Sequence, residues 1–329
     1  MNNLEKAKSV AIEAVREAAI LCSRVRSELV EASSMTKQDR SPVTIADFGA
    51  QALVLHRLKE AFPEDLVVAE EDSAELLEEA NAGLKARVVG EVQRQLSKLT
   101  EADILGTIDR GNHSGGATGR FWTLDPIDGT KGFLRNDQYA IALALVENGE
   151  PILGVLGCPQ LPLEAGKPEA IGSLFVAVKG EGAQAYSLEG DSLGDIQVTS
   201  TTEPDEACFC ESVESGHSRH DWAESVAQAL GISKASVRMD SQCKYAAIAR
   251  GDADIYLRLP TRPGYEEKIW DHAAGCLVVQ EAGGTVTDIE GKPLDFSLGR
   301  TLRDNRGIVA TNGKWHAAVI EAINQTANA

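Results

Sequence analysis

Apolar residues recur at helical spacing along the beginning of the chain. Residues 4–33 place them on one face, which predicts a long amphipathic helix, and a second helical pattern runs from Ile45 to Phe62. The short apolar run Leu66–Ala69 predicts a buried strand, and Glu70 stands where this strand ends. Residues 71–103 are rich in Glu, Lys and Ala, and their periodicity indicates an exposed helical segment without chemistry.

The middle of the chain is dominated by strand patterns. Residues 106–119 are too rich in glycine for a regular element, so we expect them to form a loop that leads into a strand. The predicted strands are 121–124, 139–147, 152–157, 174–178 and 183–186.

Beyond residue 195 the predicted elements alternate between strand and helix. They are a strand at 207–211, helices at 220–230 and 241–250, a strand at 253–258, a helix at 271–282 and a strand at 284–288. The alternation favours an α/β unit, whereas the preceding part has helices first and strands after, as α+β domains do. We therefore predict an α+β domain at 1–195 and an α/β domain at 196–329, meeting at a cleft.

Charge and cysteine content narrow the possible partners. The chain has 50 acidic and 32 basic residues, a net charge of -18, which disfavours nucleic-acid polymers and anionic lipid surfaces. The six cysteines are scattered without a zinc pattern or a disulfide framework. The first residues do not resemble a targeting peptide, and no apolar run approaches the ~20 residues that span a bilayer. We expect a cytoplasmic protein.

The segment 122–133, WTLDPIDGTKGF, is the most informative local pattern. The predicted strand ends before Asp125, and Pro126 follows this acid, so the chain is expected to turn there. Asp125, Asp128 and the carbonyl of Ile127 can present three hard oxygen ligands to a cation such as Mg²⁺. Gly129 and Thr130 allow backbone N–H groups to approach a phosphate. An Asp-Pro-x-Asp-Gly string is also a common surface turn, so its interpretation depends on other acids.

Three further carboxylates complete a possible cation site. Glu70 ends a strand, Asp271 precedes a helix of small residues, and Asp47 follows the segment 41–44, SPVT. Several carboxylates in one cleft cannot all stay ionised and unpaired without bound cations.

Taken together, these segments resemble the lithium-sensitive, magnesium-dependent phosphatases of the inositol monophosphatase and fructose-1,6-bisphosphatase superfamily, and most closely its 3′(2′),5′-bisphosphate nucleotidase branch. Five motifs in order carry the resemblance over nearly the whole chain: 41–47, 68–71, 122–133, 240–245 and 268–274 with 281–284. The resemblance implies a layered α-β-α-β-α sugar-phosphatase fold with the active site in a cleft.

The resemblance also implies roles for individual residues. The metal ligands would be Glu70, Asp125, the Ile127 carbonyl, Asp128 and Asp271, and they would hold two or three Mg²⁺ ions. Asp47 and Thr130 would orient and deprotonate the attacking water. The residues that would bind the nucleotide and its phosphates are Gly129, Thr130, His217, Ser241, Lys244 and Arg258. Lys244 and Arg258 would hold the non-reacting phosphate, since a second phosphate in an acidic protein needs cations.

The expected reaction is removal of the 3′ or 2′ phosphate of adenosine 3′,5′-bisphosphate, extending to phosphoadenosine phosphosulfate, with inhibition by Li⁺ and more weakly by Na⁺. Two alternatives stay open. An inositol polyphosphate 1-phosphatase or inositol monophosphatase would share every metal ligand, and a nucleotide-binding sensor without catalysis would share the cleft. His272 is expected to start a helix and not to bind metal, because Mg²⁺ prefers oxygen. We expect a monomer.

Overall fold

Two β-sheets organise the chain in the computed structural model, which describes residues 3–32, 41–214, 219–262 and 264–327. The first sheet has its strands in chain order: β1 (Leu66–Ala69), β2 (Arg120–Asp128), β3 (Ala140–Glu147), β4 (Glu150–Pro162), β5 (Ile171–Val178), β6 (Gly182–Ser187) and β7 (Ser192–Ile196). Only β1 and β2 pair in parallel, and the remaining neighbours are antiparallel.

The second sheet has a mixed order. Its strands are β8 (Phe209–Glu211), β9 (Val237–Arg238), β10 (Ile255–Arg258), β11 (Thr285–Thr287) and β12 (Ile308–Thr311). The spatial order is β11-β12-β10-β8-β9, with β9, β8 and β10 parallel and the other two pairs antiparallel.

Helices cover both faces of both sheets. They are α1 (Asn3–Ala32), α2 (Ser41–Ala61), α3 (Ala74–Leu77), α4 (Ala82–Gln93), α5 (Glu101–Ile108), α6 (Thr130–Arg135), α7 (His220–Ala229), α8 (Cys243–Arg250), α9 (Ala273–Glu281) and α10 (His316–Thr326). Helices α1 and α2 lie on one face of the first sheet, α8 and α9 lie between the sheets, and α7 and α10 cover the far face of the second. The α-β-α-β-α layering expected from the resemblance is confirmed.

Strand β3 shows why the first sheet is buried on both faces. Successive side chains of a strand point to opposite faces. Ile141 and Leu143 pack towards α1 and α2, whereas Ala142 and Ala144 pack towards α8 and α9. The small residues allow α9 to lie close to this face: a Cβ at Gly154 of β4 would stand 2.8 Å from the carbonyl oxygen of Ala274.

Several elements differ from the sequence prediction. The predicted loop 106–119 is wrong at its start, because α5 runs to Ile108 and a 3₁₀ turn follows at Asp109–Gly111. The predicted strand 121–124 continues to Asp128, since a register shift between Asp125 and Asp128 accommodates the proline. The exposed segment 71–103 is divided into shorter helices with buried residues such as Val88 and Val92.

Other elements were not predicted at all. The sequence pattern did not indicate β7, β9, β12 or α10. The last strand of the first sheet ends at Ile196, and the division into domains at 195 and 196 stays a prediction. No helix in the described ranges combines the length and apolar character that crossing a membrane requires.

Candidate active site

A cleft of about 430 Å³ opens where the carboxyl ends of β1 and β2 face α8 and the end of β10. Because β1 and β2 are parallel, with Ala69 paired to Leu124, the residues that follow these two positions meet at one edge of the sheet. The cleft is lined by Val43, Glu70, Asp125, Ile127, Asp128, Gly129, Thr130, Lys131, Leu134, Ser241, Gln242, Lys244, Tyr245, Tyr256, Arg258, Tyr265 and Asp271. The structure thus brings together nearly all of the residues that the sequence singled out.

Local structure orients the two acids of the 122–133 segment. The Ile127 N–H donates to Oδ1 of Asp125 over 3.1 Å, and the register shift turns Asp128 into the same cleft. Gly129 follows with a φ of 93°, and a Cβ there would stand 2.8 Å from Cβ of Ser241. Glycine is therefore required for the segment to approach Ser241 so closely.

Burial and mutual repulsion raise the pKa of three carboxyl groups of the cleft. Burial, then the charge of Asp271, raises the pKa of Glu70 to about 8. Burial, again followed by Asp271, raises the pKa of Asp128 to about 6. The pKa of Asp125, which is 2% exposed, lies well above its ordinary value because of burial and then Glu70. Such a set of oxygen donors fits a divalent cation, whose charge would displace the protons.

Asp47 occupies a different position from the other acids. It is 8% exposed on α2 and does not line the cleft, and burial followed by the charges of Glu71 and Glu70 raises its pKa well above the ordinary value. No hydrogen bond joins Asp47 to Thr130 among the described residues. Thr130 is exposed at the first position of α6.

The two cations predicted for a second phosphate lie on the opposite wall. Lys244 is 3% exposed, its Nζ donates to the carbonyl oxygen of Ser241 over 2.9 Å, and burial lowers its pKa. Arg258 forms ion pairs with Glu267 at 2.7 Å and with Asp271 at 3.5 Å. Arg258 thus lies between Asp271, which lines the cleft, and the buried Glu267. His217 lies outside the described residues.

Glu267, Asp271 and His272 form a second set of groups that could hold a metal, since one ligand atom of each lies within 4.8 Å of the others. Their bonding argues against this use. Glu267 pairs with Arg258, and His272 contacts the Tyr245 hydroxyl through Nδ1 at 2.8 Å and Glu267 through Nε2 at 3.3 Å. Although burial acts to raise the pKa of Glu267, His272 and Arg258 hold it at about 2. Arg258 thus pairs with both acids, and His272 bonds to Glu267.

Sequence reasoning missed Gln242. Its backbone N–H donates to Oδ2 of Asp128 over 2.6 Å, its side-chain amide donates to the Trp270 carbonyl, and its Oε1 accepts from the N–H of Gly275. It thereby connects the acid at the end of β2 to the chain on both sides of Asp271. The residue lies within the recognised motif 240–245, so the signal was present, but only the structure shows these partners.

Comparison with known proteins shows the family to which this chain belongs. The model of the inositol monophosphatase family matches residues 3–327, and the chain belongs to this family, which is metal-dependent. Solved structures share the fold: an inositol monophosphatase from Anabaena aligns with a TM-score of 0.63 at 21% identity, over 99% of this chain and 97% of its own. Mycobacterium tuberculosis SuhB gives 0.63 at 20% identity, over 99% and 98%.

Sequence relatives are more specific. A 3′(2′),5′-bisphosphate nucleotidase of Schizosaccharomyces pombe is 49% identical over 96% of this chain and 94% of its own length. Proteins of the same name from Oryza sativa and Emericella nidulans are 46% and 43% identical, covering 96% and 98% of this chain and 92% and 98% of their own. The recognition of this branch from the motifs is confirmed.

Proposed function

We propose that this protein hydrolyses the 3′ or 2′ phosphate of adenosine 3′,5′-bisphosphate to give AMP and phosphate. The observation that carries the proposal is a single cleft in which Glu70, Asp125 and Asp128 face the cations Lys244 and Arg258. The acids suit a metal-bound reacting phosphate, and the cations suit a second phosphate on the same small molecule. The names of the sequence relatives support this substrate.

The cation-binding residues would be Glu70, Asp125, Asp128, Asp271 and the carbonyl oxygen of Ile127, with two or three Mg²⁺ ions between them. When bound, these ions supply charge that polarises the phosphate and lowers the pKa of water. The protein contributes fixed positions for the carboxylates, because the register shift of β2 and the Gln242 hydrogen bond orient Asp128.

Asp47 and Thr130 would orient the attacking water and accept its proton. A buried carboxylate with a raised pKa suits a general base, because its proton affinity is closer to that of the group it serves. Direct attack by water leaves no covalent phosphate on the protein, and no nucleophilic side chain is required.

Recognition of the nucleotide would involve Gly129, Thr130, His217, Ser241, Lys244 and Arg258. Ser241 lies so close to Gly129 that only a glycine fits at position 129. Phosphoadenosine phosphosulfate carries the same 3′ phosphate and would be a further substrate. We also propose a monomer in the cytoplasm, inhibited by Li⁺ and more weakly by Na⁺.

Phosphate release from a panel of substrates tests the proposal. Adenosine 3′,5′-bisphosphate should exceed inositol 1-phosphate, inositol 1,4-bisphosphate and fructose 1,6-bisphosphate in kcat/KM at saturating Mg²⁺. Asp47→Asn should abolish release but retain nucleotide binding. Preference for an inositol phosphate would favour the rival phosphatases, and binding without turnover by the unmodified protein would favour a sensor.

A further inference from the structure

An arginine outside the cleft contacts both segments that lead to two of the proposed cation ligands. Arg300 is half-buried in the loop between β11 and β12 and does not line the cleft. The two acids concerned come from different parts of the fold: Glu70 follows β1 of the first sheet, whereas Asp271 precedes α9, between the sheets. A residue that binds both segments can therefore set the distance between these acids.

The guanidinium of Arg300 holds the end of β1. Its Nη2 donates to the carbonyl oxygen of Ala69 over 2.6 Å, and its Nη1 donates to the carbonyl oxygens of Gly111 and His113 over 3.2 and 2.9 Å. Because β1 is the edge strand of the first sheet, its outward carbonyl groups need donors from outside the sheet. Ala69 directly precedes Glu70, so Arg300 fixes the main chain from which the Glu70 carboxylate projects.

Arg300 also holds the segment that leads to Asp271. Its Cζ lies over the Trp270 ring, 4.7 Å from the ring centroid, and Trp270 is buried. A cation over an indole face is attracted by the electrons of the ring. The main chain adds a second contact, since the carbonyl oxygen of Arg300 accepts from the N–H of Ile269 over 3.2 Å. The two residues before Asp271 are thus held by the side chain and the main chain of one arginine.

A glutamine holds the residue that follows Glu70. The Gln51 side chain on α2 donates to the Glu71 carbonyl oxygen over 2.6 Å and accepts from the Glu71 N–H over 3.1 Å. Glu70 is therefore tied to α2 through Gln51 and to the Asp271 segment through Arg300. Of these two contacts, the one through Arg300 spans the parts of the chain that supply Glu70 and Asp271.

We propose that Arg300 is a positioning residue, which fixes the separation of Glu70 and Asp271 and so sets the affinity of the cleft for Mg²⁺. This inference rests on the proposed function, which assigns both acids as cation ligands. Mg²⁺ demands near-octahedral oxygen geometry at about 2.0–2.1 Å, so a small displacement of one ligand weakens binding. A planar guanidinium donates to three carbonyl oxygens and lies over a ring at the same time, an arrangement that a lysine does not reproduce.

Calorimetric titration of the full chain with Mg²⁺, after removal of metal with EDTA, tests this role. Arg300→Gln should raise the Kd for Mg²⁺ about tenfold or more, because contacts that orient metal ligands typically contribute about 10–100-fold to affinity. Arg300→Lys keeps the charge but loses the fork of donors, and its Kd should lie between the two. An unchanged Kd in the glutamine variant would overturn the proposal. If the glutamine variant does not fold, an unchanged Kd in the lysine variant has the same consequence.

Arg250, at the end of α8, offers a matched control. Its guanidinium donates to the carbonyl oxygens of Pro162 and Leu163 over 2.7 and 3.2 Å and lies over the Phe175 ring at 5.5 Å. The bonding resembles that of Arg300, but none of these partners adjoins a proposed cation ligand. Arg250→Gln should lower the free energy of unfolding and leave the Kd for Mg²⁺ unchanged. An equal rise in Kd in both variants would assign the effect to general loosening of the fold and overturn the positioning role.

Nucleotide hydrolysis separates this inference from the proposed function. In Arg300→Gln, hydrolysis of adenosine 3′,5′-bisphosphate should need a higher Mg²⁺ concentration for half-maximal rate, in parallel with the calorimetric Kd. An unchanged Kd together with hydrolysis by the unmodified protein would overturn the role of Arg300 alone. An unmodified protein that does not bind Mg²⁺ would overturn both the role of Arg300 and the proposed function.

Discussion

Replacing Asp128 by asparagine should change stability in opposite directions with and without Mg²⁺. In the metal-free protein the Asp128 carboxylate is held near other acids, and burial followed by Asp271 raises its pKa from the ordinary 3.8 to about 6. Asparagine has nearly the same shape, and its Oδ1 can still accept the N–H of Gln242. The substitution therefore removes the charge and retains the main hydrogen bond.

The magnitude follows from linkage between folding and protonation. One pKa unit corresponds to about 1.4 kcal/mol, so ionising Asp128 destabilises the metal-free fold by roughly 3 kcal/mol. Because the folded pKa is the higher one, stability is lost as pH rises from about 4 to about 6 and is constant above that. The metal-free Asp128→Asn protein should match the unmodified protein near pH 4 and exceed it by up to ~3 kcal/mol at pH 8.

Urea unfolding in EDTA and in Mg²⁺, at pH 4.5, 6 and 8, measures both effects. In Mg²⁺ the order should reverse, since a cation that binds only the folded state stabilises the protein with the complete ligand set. Asp205→Asn, at an exposed acid outside the cleft, is the control and should change little under any condition. A metal-free Asp128→Asn protein that is no more stable than the unmodified one at pH 8 would refute the electrostatic reasoning.

Three further predictions concern binding and catalysis. Lys244→Ala should raise the KM for adenosine 3′,5′-bisphosphate about tenfold or more, because a charge-assisted hydrogen bond to the second phosphate is lost. The KM for a nucleoside 3′-monophosphate should rise much less. An equal rise in KM for both substrates would indicate a structural role for Lys244. Gln242→Leu leaves the Trp270 carbonyl and the Gly275 N–H without their side-chain partner, so the free energy of unfolding should fall by about 2–5 kcal/mol. Half-maximal activity should also require a higher Mg²⁺ concentration. An unchanged Mg²⁺ dependence would contradict the positioning role of Gln242. Li⁺ should inhibit more strongly than Na⁺, because it fits an oxygen-lined Mg²⁺ position with half the charge. The inhibition should increase with substrate concentration and decrease with Mg²⁺ concentration. Inhibition by Li⁺ equal to that by K⁺ at the same ionic strength would contradict this.

Local sequence was sufficient for much of the secondary structure and for singling out acids that line the cleft. Helices α1 and α2 and strand β1 followed from periodicity, because a buried face imposes spacing that is visible in the chain. Asp125 and Asp128 were predicted to lie close together, because proline fixes the backbone between them and glycine permits the conformation that follows, and both line the cleft. The motif order was enough to recognise the family, since separated motifs in the same order are very unlikely to agree by chance.

Tertiary structure decided what surrounds those acids. The contact of Gln242 with Asp128, and the pairing of Arg258 with Glu267, join segments whose distance in space depends on how the two sheets pack. A groove beside the cleft likewise combines residue 219 with residues 260–262, 264–266 and 303–306. Periodicity constrains neighbours along one helix or strand, whereas contacts between distant segments depend on sheet order, register and loop anchoring, which no local pattern contains.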